Sequence, residues 1–273
     1  MTIKELIDYG KQYISNQQTQ MLLEYYLNCD AFEINTKLND EIDKEIEKKY
    51  KSSIEKIANN YPIQYLIGKT NFYGNDFIVN ENVLIPRFET EELVENTINY
   101  IKKHFSENIK IIDLGTGSGC IGITLKKKIP SLNVTCVDIS ELALRVAMEN
   151  ARRLETSIEF IKSDMLENVK GKYSVIISNP PYIAMDEEIE EVVKNNEPHL
   201  ALYAESNGLY FYDKILSTCK EKLEDRFLIA FEIGMTQKEK VIKLAQKYFG
   251  DDVTCVCKKD LSGKDRMIFI YNS

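Results

Sequence analysis

The run Ser178-Asn179-Pro180-Pro181-Tyr182 carries the side chains with the clearest chemistry in the sequence. Its two prolines fix their own backbone angles and lack N–H donors, so the turn presents carbonyl acceptors with little competition. The Asn179 side chain adds an amide oxygen as another acceptor, and Tyr182 adds a flat apolar ring. These groups suit a planar NH2 group whose two hydrogens are held by oxygen atoms. The motif therefore predicts a site for an amide or an arylamine.

A glycine-rich segment, Asp113-Leu-Gly-Thr-Gly-Ser-Gly119, follows the apolar run Lys110–Leu114 and precedes a helical pattern. Glycines at a strand-to-helix turn let the backbone approach a ligand and leave helix N–H groups facing it. In a doubly wound sheet, this position is the ligand crevice at the carboxyl ends of the strands. We therefore expect a cofactor to bind here.

The class of cofactor stays open on these residues alone. Gly117, Gly119 and Gly122 also match the dinucleotide pattern GxGxxG, which by itself is weak evidence. Asp138 ends the next apolar run, where its carboxylate can accept hydrogen bonds from both hydroxyls of a ribose. Nicotinamide and S-adenosylmethionine proteins share such an acid, so Asp138 does not separate the two.

Strand and helix patterns alternate through the part of the chain that carries both motifs. Further apolar runs lie at Val134–Asp138, Ile158–Lys162, Tyr173–Ser178 and Phe227–Phe231. Repeated units of this kind predict an α/β fold with a mostly parallel sheet covered by helices on both faces. Val253–Cys257 and Met267–Tyr271 are joined by a loop too short for a crossover helix, which predicts an antiparallel hairpin at one sheet edge.

The chain before this region has a different pattern. Thr2 and Glu5 have the spacing of a capping box, and apolar residues recur every three or four positions from Leu38 to Ile57, which predicts helices with one buried stripe. Gly68 and Gly74 interrupt short aromatic and β-branched runs, which predicts a hairpin. We therefore expect a helical domain at 1–61, a hairpin linker at 62–86 and a catalytic domain at 87–273.

Composition limits the classes of function. A net charge of −8 argues against tight sequence-independent binding to nucleic acid, which depends on neutralising phosphates. The N-terminal MTIKELIDYG has no apolar signal region, and no stretch reaches the roughly 18 apolar residues that span a bilayer, so we expect a cytoplasmic protein without a membrane partner. Six scattered cysteines and two histidines predict reduced thiols and no metal site.

The glycine turn resembles the D/ExGxGxG turn of the class I methyltransferases, whose fold is a Rossmann-like seven-stranded sheet. The resemblance implies S-adenosylmethionine as cofactor, with Asp138 on the ribose and Asp164 and Met165 near the adenine. The remaining implied cofactor-binding residues are Asp113, Gly115, Thr116, Gly117, Ser118, Gly119 and Asn179. Asp164 has a second interpretation as a helix cap.

Several further segments, in order along the chain, resemble the HemK/PrmC family, the glutamine N5-methyltransferases of class-one peptide chain release factors. They are Pro62-Ile-Gln-Tyr-Leu-Ile-Gly68, Phe72-Tyr-Gly74, Leu84-Ile-Pro-Arg87, the glycine turn, Asn179 to Ile183, Asn196-Glu-Pro198 and Phe231-Glu-Ile-Gly234. The resemblance implies methyl transfer from S-adenosylmethionine to the glutamine of the release factor's GGQ loop, with the helical domain docking the factor.

The same resemblance assigns roles at the motif Asn179 to Tyr182. Asn179 and the Pro180 carbonyl would bind the glutamine amide, and Pro181 and Tyr182 would complete its pocket, so that Asn179, Pro180 and Tyr182 form the catalytic set. Arg87 and Phe88 would border the cofactor. Arg87 can equally form a structural ion pair with Glu89 or Glu91.

Three alternatives stay open. The motif also occurs in adenine-N6 and guanine-N2 methyltransferases of nucleic acids, which must move their base out of the stack and into the pocket. The acidic net charge argues against this class. A cofactor-binding module that no longer catalyses would bind S-adenosylmethionine without transferring its methyl group. A nicotinamide oxidoreductase would leave the motif at Asn179 unexplained.

Overall fold

The computed structural model describes residues 1–272, and the chain divides into two compact units. One unit comprises Met1–Lys69 together with Ile189–Asn196, and the other comprises Thr70–Glu188 together with the chain from Glu197 onward. Each unit has buried hydrophobic clusters of its own. The domain boundaries 1–61, 62–86 and 87–273 stay predictions.

The first unit is helical, as its sequence pattern predicts. Its helices are Ile3–Gly10, Asn16–Leu27, Ala31–Thr36, Lys44–Ala58, Ile63–Ile67 and Glu191–Asn196. The predicted capping box is present, because Thr2 Oγ1 accepts from the Glu5 N–H at 3.3 Å and Glu5 Oε2 accepts from the Thr2 N–H at 2.8 Å. These two bonds satisfy donors at a helix start that would otherwise lack intrahelical partners.

The amphipathic helix starts later than the apolar periodicity suggests. The sequence pattern runs from Leu38, but the helix begins at Lys44. Asp43 explains the start, since its side chain accepts from the N–H groups of Glu45 and Ile46 and so caps the helix. The predicted buried stripe is confirmed along the helix at Tyr50, Ile54 and Ile57.

The second unit carries the alternating elements. Its helices are Phe88–His104, Cys120–Lys128, Glu141–Arg153, Glu205–Gly208, Tyr210–Thr218 and Lys238–Phe249, with 3₁₀ turns at His199–Ala201 and Lys220–Lys222. Its strands are β1 (Lys69–Phe72), β2 (Asn75–Ile78), β3 (Lys110–Leu114), β4 (Asn133–Asp138), β5 (Glu159–Lys162), β6 (Tyr173–Ser178), β7 (Ile183–Ala184), β8 (Tyr203–Ala204), β9 (Leu223–Glu232), β10 (Thr254–Lys259) and β11 (Asp265–Tyr271). Strand β1 begins on the last residue of the first unit.

Seven of these strands form one sheet in the order β10-β11-β9-β6-β3-β4-β5. Strands β5, β4, β3, β6 and β9 pair in parallel, whereas β11 pairs antiparallel with both β9 and β10. This arrangement confirms the predicted α/β class, the seven-stranded sheet and its antiparallel C-terminal hairpin. The chain adds β4 and β5 on one side of β3 and then returns to place β6 on the other side. The strand order therefore reverses between β3 and β6, which is where doubly wound folds bind ligands.

Both faces of the sheet are covered, because alternate residues of each strand face opposite sides. Ile111 and Val175 belong to a core cluster shared with the helix Phe88–His104, while Ile112 and Ile176 belong to another shared with Tyr210–Thr218. Burial on both faces explains why the strands read as continuous apolar runs. Among residues 1–272, no helix combines the length and apolarity that crossing a bilayer requires.

The predicted hairpin is present as the two-stranded sheet β1-β2. Its connecting residues Tyr73 and Gly74 both have positive φ angles, of 51° and 76°. Two such residues in succession characterise the tight turn whose twist matches that of paired strands. Phe72 and Phe77 are buried on either side of the turn with their ring centroids 5.9 Å apart.

Replacement of Gly10 by alanine tests the packing of the helical unit. A Cβ atom on Gly10 would lie 2.5 Å from Tyr50 Oη and 2.9 Å from Thr19 Cγ2, so the surrounding side chains must move. We expect Gly10→Ala to lower the free energy of unfolding of this unit by about 1–3 kcal/mol, measured by urea denaturation.

The Tyr50→Phe background provides the control, because it removes the oxygen atom that the new Cβ would meet first. Gly10→Ala should cost less stability in Tyr50→Phe than in the wild type, which makes the two changes non-additive. Equal costs in both backgrounds would contradict the steric explanation.

Candidate active site

The two sequence motifs lie side by side because β3 and β6 are neighbours in register. Leu114 pairs with Ser178 at the carboxyl ends of these strands. The Ser178 hydroxyl also donates to the Leu114 carbonyl at 2.6 Å, which ties the two strand ends together. The glycine turn and the turn that starts at Asn179 therefore leave the sheet from adjacent points.

The glycine turn uses backbone conformations that disfavour other residues. Gly115, Gly117 and Gly119 have φ angles of 70°, 57° and 81°. A Cβ built on Gly115 or Gly117 meets no atom within 4 Å, so these two residues face open space, whereas one on Gly119 lies 2.8 Å from Ile123 Cδ1. The first two glycines thus leave room for a ligand and the third allows close packing of the following helix.

Asp113 holds this turn from behind. It is fully buried, and its Oδ2 atom accepts from the Thr116 hydroxyl at 2.6 Å and the Gly122 N–H at 3.1 Å. Its Oδ1 atom has no hydrogen-bond partner among residues 1–272. Burial raises the pKa of Asp113 to about 6, against an ordinary value of 3.8, although the Thr116 and Gly122 donors lower it. The carboxylate therefore shapes the turn without lining the cavity in front of it.

Asp138 lies at the end of β4 and faces that cavity. Its Oδ2 atom accepts from the Gly117 N–H at 2.9 Å, and its Oδ1 atom accepts from the Ser140 N–H at 2.9 Å. Burial raises the pKa of this carboxyl group, whereas the backbone donors lower it. Each oxygen retains acceptor capacity, so the carboxylate is fixed in place and can still accept from ligand hydroxyls.

Asn179 is half-buried and lines the same cavity. Its Nδ2 atom donates to Thr90 Oγ1 at 3.2 Å. Pro180, Pro181 and Tyr182 continue the turn, and the Tyr182 carbonyl accepts from Gln237 Nε2 at 2.9 Å. Burial raises the pKa of the Tyr182 hydroxyl, so it stays protonated at neutral pH.

The cavity encloses about 940 Å³, including the part open to solvent. Of the residues predicted from the sequence, those that line it are Gly115, Gly117, Asp138, Asp164, Met165, Asn179 and Pro181. Others lie in the same turns without lining it, namely Asp113, Thr116, Ser118, Gly119, Pro180 and Tyr182. Further walls come from Asn82, Val83, Leu84, Ile139, Leu200, Tyr210 and Phe211. The structure thus brings the predicted cofactor and amide residues to one cavity.

Asp164 does not cap a helix. The residues that follow it form turns, and its carboxylate pairs with Lys214 at 2.7 Å. Met165 is buried, has a φ angle of 50° and lines the cavity. The cap interpretation of Asp164 is therefore wrong, and both residues remain candidates for contact with a planar ring.

Arg87 forms an ion pair, but its partner is neither Glu89 nor Glu91. The Arg87 guanidinium pairs with Glu197, a residue 110 positions later in the chain whose side chain is only 2% exposed. Glu197 also accepts from the Ile85 N–H at 3.0 Å. One buried carboxylate therefore holds the segment before Phe88 next to the segment after Glu197, and both segments supply cavity walls. Phe88 itself is 62% exposed.

Three buried polar residues behind the Asn179 turn were not predicted as site residues. They are Thr90, Glu232 and Gln237. Glu232 accepts from Thr90 at 2.7 Å, and Gln237 holds the Tyr182 carbonyl. The available signal for Glu232 was an acid directly after the apolar run Phe227–Phe231, much as Asp138 ends the run Val134–Asp138. Within residues 1–272, no cluster of three His, Cys, Asp or Glu side chains is placed to hold a metal ion.

Replacement of Asp113 by asparagine tests the buried carboxylate. Because folding raises its pKa from 3.8 to about 6, the folded protein binds the proton more tightly, and its ionisation costs stability as pH rises between those values. The free energy of unfolding of the wild type, minus that of Asp113→Asn, should therefore fall across this window by on the order of 3 kcal/mol. Urea denaturation at stepped pH measures it. A flat difference would contradict the assignment, and Asp251→Asn on the exposed surface controls for the lost charge.

The chain matches two family models and many curated relatives. The model described as methyltransferase small domain covers residues 91–203, and the one described as PrmC N-terminal domain covers residues 10–68. The release factor glutamine methyltransferase of Bacillus cereus is 36% identical over 280 residues, covering 98% of this chain and 99% of its own. The release factor glutamine methyltransferase of Flavobacterium psychrophilum is 45% identical over 213 residues, covering 76% of this chain and 74% of its own.

Solved structures give the same fold. A methyltransferase from Pyrococcus furiosus superimposes with a TM-score of 0.52 at 17% identity, covering 74% of this chain and 90% of its own. At this identity the likeness shows the methyltransferase fold alone. The sequence relatives identify the family as well as the fold, because they are more than 30% identical over most of both chains. The chain belongs to the release factor glutamine methyltransferase family.

Proposed function

We propose that this chain transfers a methyl group from S-adenosylmethionine to the side-chain amide nitrogen of the glutamine in the GGQ loop of class-one release factors. One observation carries the proposal: Asn179 lines the same cavity as Gly115, Gly117 and Asp138. An amide acceptor site and a cofactor site thus share one space, in a chain of the release factor glutamine methyltransferase family. We place this activity in the cytoplasm, where the release factors act.

The residues of the cavity fit this cofactor. S-adenosylmethionine carries the transferable methyl group on a positively charged sulfonium. Asp138 would accept from the ribose hydroxyls, and the open faces of Gly115 and Gly117 would leave the backbone exposed to the methionine portion. Asp164 and Met165, which also line the cavity, would contact the adenine.

An amide nitrogen is a weak nucleophile because its lone pair is delocalised, so rate must come from placement. In the proposed complex the Asn179 Oδ1 atom and the carbonyl of the adjacent Pro180 accept the two N–H groups of the glutamine amide, while Pro181 lines the pocket and Tyr182 completes the turn. Holding two reactants in an attack geometry is worth up to about 7–11 kcal/mol. Fixed acceptors add electrostatic stabilisation without reorganisation. No histidine pairing is needed, since both of this chain's histidines, His104 and His199, lie outside the cavity lining.

Replacement of Asn179 by alanine tests the amide site. We expect kcat for methyl transfer to fall by about 10²–10³-fold, because one fixed acceptor of the reacting amide is lost. The dissociation constant for S-adenosylmethionine, measured by calorimetry, should change little. Unchanged turnover would remove Asn179 from the mechanism.

Asp138→Ala serves as the opposite variant, since Asp138 faces the cofactor side of the cavity. It should weaken S-adenosylmethionine binding by about tenfold or more, in line with the loss of charge-assisted hydrogen bonds. If Asn179→Ala weakened cofactor binding as much as Asp138→Ala, the division between amide site and cofactor site would be wrong.

The substrate assignment is tested by transfer of labelled methyl groups. Purified release factors, release factors with the GGQ glutamine replaced, ribosomal RNA and DNA would each be incubated with the enzyme and S-adenosylmethionine. We expect label only on the factor that retains its glutamine. Label on nucleic acid alone would keep the reaction type and overturn the substrate.

A further inference from the structure

We infer that Thr90 and Glu232 are positioning residues that fix the Asn179 side-chain amide in one orientation, with its oxygen facing the substrate. The inference rests on the proposed function of Asn179 as an acceptor for the substrate amide. Neither Thr90 nor Glu232 lines the cavity, so both act through Asn179.

The three side chains form a continuous hydrogen-bonded chain. Asn179 Nδ2 donates to Thr90 Oγ1 at 3.2 Å, and Thr90 Oγ1 donates to Glu232 Oε2 at 2.7 Å. Thr90 and Glu232 are each only 2% exposed, which removes water as a competing partner. Asn179 is more open than these two residues and lines the cavity.

The carboxylate sets the direction of the chain. Ionised Glu232 can only accept, so the single hydroxyl proton of Thr90 points towards it. Thr90 then has only lone pairs to offer Asn179, which must present its NH2 group rather than its oxygen. A flipped amide would place two acceptor oxygens against each other and leave the NH2 group facing substrate donors. Glu232 therefore decides which atom of Asn179 the substrate meets.

Glu232 also lies close to the turn that runs from Asn179 to Tyr182. It is the last residue of β9, one position after Phe231, which pairs with Ser178. Tyr182, at the other end of the turn, lowers the pKa of Glu232. A buried carboxylate is costly to ionise, so this position would ordinarily favour an apolar residue. Its link to Asn179 through Thr90 gives the charge a role in the site.

The ionisation of Glu232 predicts a pH dependence. Burial raises its pKa to about 7, Thr90, Arg266 and Tyr182 lower it, and Glu89 raises it. The charge of Glu232 in turn helps to raise the pKa of Cys120 and of Tyr212. Below pH 7 the protonated carboxyl can donate to Thr90, which frees the Thr90 hydroxyl to turn towards Asn179. The fixed amide orientation is then lost, and kcat should fall as pH drops through about 7.

The test compares four variants of the full chain in methyl transfer to a release factor. Thr90→Val removes the hydroxyl and should lower kcat by about 10–100-fold, while the dissociation constant for S-adenosylmethionine stays within about twofold. Thr90→Ser restores the hydroxyl and should recover kcat to within about threefold of the wild type. Glu232→Gln can donate or accept, so it should lower kcat and lose the acidic fall near pH 7.

Thr97→Val is the matched control. Thr97 is buried on the same helix, but its hydroxyl donates to the Leu93 carbonyl and has no link to Asn179. This variant should keep the wild-type kcat and pH profile. If Thr90→Val also kept the wild-type kcat, or if Thr90→Ser failed to recover it, the inference would be overturned.

A second measurement separates failure of the inference from failure of the proposed function. The Asn179 side-chain NH2 signals can be assigned by NMR from their absence in Asn179→Ala. One proton of the pair should lose its hydrogen-bonded shift in Thr90→Val and keep it in Thr97→Val. A wild type that methylates no release factor would overturn the proposed function alone. Asn179 signals insensitive to Thr90→Val would overturn the inference whatever the substrate.

Discussion

The parallel register of β4, β3, β6 and β9 is the constraint on which the rest of the site depends. Val137 pairs with Leu114, Leu114 with Ser178, and Ser178 with Phe231. The four strands therefore end level with one another, and whatever follows each of them meets at one edge. A slip of one residue in any pair would send the alternate side chains to the wrong face and separate the turns that follow.

Two acids at this edge, Asp113 and Glu232, are buried and support the site without lining the cavity. Burial raises the pKa of both, to about 6 and about 7, so each carboxylate costs stability at neutral pH. Asp113 uses its charge to hold the glycine turn through Thr116 and Gly122. Two buried carboxylates thus lower the folding stability. Both lie next to turns that must present backbone or amide groups in one fixed direction.

The fold could be predicted because it depends on local patterns. The observed bounds of β3 and β6 coincide with the apolar runs Lys110–Leu114 and Tyr173–Ser178, since burial on both faces leaves a continuous signal. Pairings between distant residues could not be predicted in this way. Arg87 has two acids within four positions, yet it pairs with Glu197. No spacing rule connects residues 110 positions apart. For the same reason the hydrogen-bonded link from Asn179 through Thr90 to Glu232 could not be predicted.

The chemistry of the cavity does not by itself choose glutamine. The two oxygen acceptors of the proposed site, Asn179 Oδ1 and the Pro180 carbonyl, would suit any planar NH2 group, and an adenine or a guanine presents one as an amide does. All the residues that line the cavity belong to the second compact unit. Selection of a protein loop over a base must therefore use surface outside the cavity lining. Residues 10–68 match a family-specific N-terminal model, separate from the general methyltransferase model at 91–203, and we propose that this selectivity lies in the helical unit.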